Sequence, residues 1–105
     1  MPRSFAGLFV LGVAGLALAW ECPDNGSTMA LSNNQVPGNY RVRHSGGDAN
    51  VRLIVRDASG NVTFDEPLPT NEEGVLVGVP LGGSVEVTDP ADGDQKGADG
   101  TIAKE

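Results

Sequence analysis

The chain has 105 residues, room for one domain, and 14 Asp and Glu stand against 7 Lys and Arg for a net charge of −7. That balance argues against nucleic-acid or anionic-membrane binding through whole-protein attraction, and aromatics at 5% leave no stacking platform for bases. Fifteen glycines and seven prolines suit short strands joined by tight turns and work against long helices.

Met1-Pro2-Arg3 gives a positive start, and the sixteen residues from Phe5 to Trp20 carry no charge. The run ends in Ala17-Leu18-Ala19, the small-x-small pattern read by signal peptidase. It is shorter than the roughly 20 residues that span a bilayer as a helix, and a buried soluble helix would carry a polar face. Residues 1–19 therefore read as a signal peptide, an N-terminal helix, with an uncleaved anchor as the alternative. The expected setting is secreted, periplasmic or cell-surface, with the membrane touched only through such an anchor.

Cys22 is the sole cysteine, so no internal disulfide exists. Its place suggests a lipoprotein, but Ala19-Trp20-Glu21 is a poor lipobox. A free thiol or an intermolecular disulfide remains. Residues 20–38 read as an irregular segment with one short strand near Thr28–Leu31.

From Tyr40 the pattern alternates. Tyr40, Val42 and His44 interleave with Arg41 and Arg43; Val51, Leu53 and Val55 interleave with Arg52, Ile54 and Arg56. The Gly-rich connector Ser45–Asn50 predicts a hairpin with Val42 opposite Leu53 and Arg43 across from Arg52. Val62 and Phe64 are expected to point inward on the next strand. Pro67-Leu68-Pro69 breaks the ladder, and strands over Gly74–Val79 and Ser84–Thr88 follow, joined by Pro80–Gly83. The fold class is all-β, a small antiparallel sandwich of about five to seven short strands with its core in residues 39–90. The tail, residues 91–105, is Asp/Gly-rich, apolar-poor except for Ile102, and expected to be mobile.

Arg41, Arg43, Arg52 and Arg56 fall on one outer face in that register. Four guanidinium groups there would grip an anionic glycan or an acidic protein partner bidentately. Ordinary cross-strand pairing competes with this, because Asp65 lies near Arg52 and Glu86 also points outward. Asp89, Asp92 and Asp94 suggest a calcium loop, since alternate Asp residues offer hard oxygen ligands. As an EF-hand it fails: counting from Asp92, Lys96 stands at the fifth position and Ala103 at the twelfth. His44, the only histidine, reads as a half-buried, hydrogen-bonded imidazole at a strand end. One His and one Cys cannot build a Cys/His zinc site, and no nucleophile elbow or converging carboxylate pair is present. No cofactor and no catalysis are expected. Asn25-Gly26-Ser27 and Asn61-Val62-Thr63 are glycosylation triplets, meaningful only in a eukaryotic secretory route.

The stretch from Gly38 to Val62, with its G-x-Y-x-V, G-G-x and L-x-V-x-D-x-x-G cadence, resembles bacterial pre-peptidase C-terminal domains. These are Ig-like β-sandwich accessory modules of secreted proteins. The resemblance implies a sandwich in an exported setting. The family's Asp before the leucine strand is replaced in the region of Val51-Arg52, so no calcium site is implied. The expected function is an exported binding or structural accessory module. The alternatives are an assembly subunit that pairs by an edge strand and a calcium-stabilised surface module.

Overall fold

A computed structural model describes residues 17–47, 50–90 and 97–105. The described chain is all-β. Its eight strands are β1 (Ala17–Cys22), β2 (Ser27–Leu31), β3 (Gly38–Gly47), β4 (Arg52–Arg56), β5 (Val62–Pro67), β6 (Val75–Val79), β7 (Ser84–Thr88) and β8 (Ala98–Lys104). They form two antiparallel four-stranded sheets, ordered β1-β8-β3-β6 and β2-β7-β4-β5. The expected signal helix falls mainly on residues 1–16, outside the described part. Its last three residues, Ala17 to Ala19, form the first half of β1.

Alternation places each strand. On β3, Tyr40, Val42 and His44 are buried while Arg41 and Arg43 lie between them; on β4, Leu53 and Val55 are buried, and on β7, Val85 and Val87. These side chains, with Trp20, Val77, Val79 and Ile102, form one core between the sheets. The expected pairing of β3 with β4 does not form. β3 lies between β8 and β6, and β4 between β7 and β5. The reason is cover. Placed in opposite sheets, the two apolar rows bury each other across the core. The Gly-rich connector serves a crossover as readily as a hairpin. Among the described residues, the only consecutive strands sharing a sheet are β4 and β5. Their turn is tied by the Asp57 carboxylate, which accepts from the amides of Ser59 and Asn61, and Gly60 at φ 88° completes it.

The C-terminal tail is the larger correction. Ala98–Lys104 is not free chain but an inner strand of its sheet, paired with β1 on one side and β3 on the other. Ala98, Gly100 and Ile102 face the core, and this row is too small to read as apolar. Trp20 supplies the missing bulk. It is 3% exposed and opposite Gly100, whose other neighbour is His44. A Cβ on Gly100 would collide with the Trp20 indole and with the Arg43 carbonyl. The indole thus lies over a glycine and reaches toward the His44 ring, 6.1 Å between centroids, while its N–H donates to Thr101 O at 3.2 Å. Both β1 and β8 fall outside the 39–90 span in which the sequence placed the core. Another expectation fails at β5: Val62 is 52% exposed, at the start of an edge strand where the pairing register shifts between Val55 and Arg56 and breaks the alternation.

Gly100→Ala is expected to cost about 3 kcal/mol or more by overpacking against fixed backbone. Trp20→Ala should cost about 3 to 5 kcal/mol. Urea unfolding measures both. An unchanged midpoint for Gly100→Ala would mean that the indole does not lie across β8.

Candidate binding site

The four arginines do not converge. Arg41 and Arg43 project from one sheet, Arg52 and Arg56 from the other. Each is tied locally. Arg41 pairs with Glu105 at 3.1 Å and donates to the Glu73 carbonyl at 2.8 Å; Arg43 donates to the Glu72 carbonyl at 2.8 Å. Arg52 pairs with Asp65, and Arg56 with Glu86 at 2.8 Å. Arg41 and Arg43 thereby hold the loop before β6 against their sheet. Exposed pairs of this kind contribute little stability each, but they occupy the guanidinium groups that an anionic ligand would need. Arg43 alone of the four has no carboxylate within ion-pair distance among the described residues.

Beside Arg43, at the end of the sandwich where β5 leads into β6, lies an open polar cleft of about 550 Å³ lined by His44, Thr70 and Asn71 among others. His44 is 2% exposed, more deeply buried than its strand-end position suggested. Its Nδ1 lies 3.3 Å from the Leu68 carbonyl and 3.2 Å from Thr70 Oγ1, and its Nε2 lies 3.1 Å from the Gly46 carbonyl. A neutral imidazole has one N–H to give. Donation from Nε2 to Gly46, with Nδ1 accepting from the Thr70 hydroxyl, uses both nitrogens. The ring therefore works as a clamp between β3 and the 68–70 segment.

Cys22 and Asp89 lie at this same end. Cys22 is 1% exposed, and its thiol donates to the Gly26 carbonyl at 3.2 Å. Of the two expected states, a free thiol and an intermolecular disulfide, the burial of Cys22 in β1 favours the free thiol. Burial pushes the thiol above its ordinary 9.0; a backbone hydrogen bond from Asp89 opposes the shift, and the Asp89 and Glu86 charges add to it. Asp89 is 1% exposed, and its amide donates to the Gly26 carbonyl at 2.7 Å. Asp92 and Asp94, the other calcium candidates, lie outside the described residues. No metal-binding group of three His, Cys, Asp or Glu occurs among the described residues.

The opposite end of the sandwich is apolar. Between the edge strands β1 and β2 a cleft of about 300 Å³ is lined by Leu18, Leu31, Val36, Tyr40, Ile102 and Lys104, with the loop 32–35 as one wall. Leu18 lies on the inward row of β1, two residues before Trp20, and is 54% exposed; Val36 is 49% exposed. The wall is rigid because of Asn34, which is 2% exposed. Its amide donates to the carbonyls of Val36 at 3.0 Å and Val79 at 3.1 Å, while Oδ1 accepts from the Val36 amide at 3.2 Å. The Tyr40 hydroxyl sits 2.9 Å from that oxygen and 2.6 Å from the Val36 carbonyl. The Asn34 backbone closes the network: its amide donates to the Gly83 carbonyl at 2.9 Å, and its carbonyl accepts from the Gly82 amide at 2.7 Å, in the β6–β7 turn. In the sequence Asn34 falls within the irregular segment 20–38 and reads only as turn chemistry. The signal available was an Asn beside Val36-Pro37-Gly38 followed by a lone Tyr, which reads equally as surface turn.

No protein-family match and no similar curated protein was found for the chain. The site stands on its own geometry.

Asn34→Ala should cost about 2 kcal/mol or more, because it takes the side-chain donor from the Val79 carbonyl and the acceptor from the Val36 amide and the Tyr40 hydroxyl. The loss is read by thermal unfolding. The Cys22 thiol should resist a thiol reagent in the folded chain and react once urea is added. Because the folded state holds its proton more tightly than the unfolded chain does, the thiol's stability contribution is intact below pH 9.0 and lost as pH rises through the higher folded value. Cys22→Ala should lessen that alkaline loss, measured from neutral pH to about pH 10.

Proposed function

We propose that this chain is an exported, non-catalytic β-sandwich module that works by binding a protein partner in a secreted, periplasmic or cell-surface setting. The observation that carries the reading is the apolar cleft, whose walls Leu31, Val36, Tyr40 and Ile102 all lie past Trp20 and so belong to the exported chain. A concave apolar surface framed by a locked polar loop suits recognition of a partner's side chain. Export is supported by the charged start, the uncharged run and the Ala17-Leu18-Ala19 pattern. The non-catalytic reading is supported by His44, whose two nitrogens are both engaged in holding the fold. An anionic glycan is the weaker choice of partner, since the arginines divide between two faces and three of them hold carboxylates. The resemblance of residues 38–62 to accessory modules of secreted proteins agrees with a binding role.

The intact mass of the native chain from fractionated cells tests export. A chain beginning at Trp20 outside the cytoplasm is expected, and a cytoplasmic chain beginning at Met1 would overturn the reading. A fluorescent apolar dye tests the cleft. Saturable binding should weaken at least about tenfold in Leu31→Asp, as loss of an apolar wall implies. Equal binding by the two proteins would sink the cleft as the recognition surface.

A further inference from the structure

Cleavage after Ala19 would change the cleft, and the strand register says how. In β1, Ala17 faces Ala103, Leu18 faces Ile102 and Ala19 faces Thr101, while Trp20 to Cys22 face Gly100 to Ala98. Scission between Ala19 and Trp20 detaches the first three pairs and leaves the last three. Thr101, Ile102 and Ala103 stay bonded to β3 on their other side, so their free side becomes a short open strand edge. That edge borders the apolar cleft, which at the same moment loses Leu18 from its wall. Such an edge with a side-chain pocket beside it is the arrangement that accepts an added strand.

The covalent geometry also fixes how an added strand must end. Ala19 was bonded to the Trp20 nitrogen, and Trp20 stays anchored by its buried indole and the Thr101 bond. An incoming strand running in the direction of β1 cannot continue past that point. Its last carbonyl carbon arrives where the new Trp20 α-ammonium stands, and a free carboxylate there forms an ion pair. Ala17-Leu18-Ala19 defines the side chains that fit. The two alanines are on the solvent side at an edge, and Leu18 points into the cleft beside Leu31 and Ile102.

We propose that the mature chain, beginning at Trp20, is a receptor for the free C-terminus of a partner polypeptide ending in a small–large aliphatic–small sequence. That segment adds as a strand to Thr101–Ala103, puts its penultimate side chain in the cleft, and pairs its carboxylate with the Trp20 α-ammonium. The proposal rests on the reading of a chain exported and cut after Ala19.

The test uses the chain from Trp20 to Glu105, released with a free amino group, and the peptide Val-Ala-Gly-Leu-Ala-Leu-Ala as the probe. Calorimetric titration should show saturable one-to-one binding of the free acid, at least about tenfold weaker binding of the C-terminal amide, and none when the penultimate Leu is Asp. The full-length chain, whose own Ala17–Ala19 fill the edge, should not bind. If the shortened chain is unfolded alone, the free acid should restore its β-sheet circular dichroism, which supports the site equally. A folded chain that ignores the peptide would overturn the proposal. So would an unfolded chain that the peptide does not rescue, or equal binding of acid and amide. The native chain's intact mass separates the two ideas: retention of residues 1–19 defeats the cleavage reading whatever the titration gives.

Discussion

The sandwich depends on one close approach, that of the Trp20 indole to the backbone of Gly100. β8 is an inner strand whose core-facing row of Ala98, Gly100 and Ile102 is too small to fill the space between two sheets. Gly100 has no Cβ, so the indole can lie across the strand and reach toward His44. One large side chain from the N-terminal strand thus completes the packing of the C-terminal strand. The two ends of the described chain are held in one sheet by this contact and by the main-chain ladder between them. A side chain at position 100 would separate them, because the Arg43 carbonyl on the other flank leaves no room to shift.

The two ends of the sandwich differ for a related reason. Where β1 passes Trp20 and Cys22, large or polarizable side chains fill the gap between sheets, and His44 bridges β3 to the 68–70 segment. At the other end β1 offers only Leu18 opposite Leu31, and the sheets part into a cleft. The loop across that opening is held by a buried amide rather than by apolar packing. Asn34 meets backbone groups on three sides, so its wall is fixed in shape while the floor stays apolar. Rigidity of this kind lowers the ordering cost that a partner must overcome on binding.

In the proposed reading, the position of β1 joins processing to recognition. The residues of the Ala17-Leu18-Ala19 pattern pair with β8, and Leu18 among them lines the cleft. The same covalent step that would free the domain would therefore open its edge and create the ammonium group beside it. The arginines, by contrast, serve the surface. Divided between sheets and tied to Glu105, Asp65, Glu86 and two loop carbonyls, they stabilise strand edges and turns.

By itself the sequence determined the all-β class, the inward faces of β3, β4 and β7 and the β4–β5 turn, because period-two alternation and Asp57–Gly60 turn chemistry are local properties. Asp65 beside Arg52 was legible for the same reason, since one hairpin sets it. Sheet membership was not. Alternation says which residues face inward and never which strand lies opposite, so a crossover between β3 and β4 looked like a hairpin. β8 was hidden because its inward row is small, and what makes it a strand is a tryptophan 80 positions away. Asn34 and the cleft were hidden likewise. Their chemistry exists only once β1, the 32–36 loop, Tyr40 and the β6–β7 turn meet in space. Tertiary structure decided every feature that depends on which surfaces cover one another.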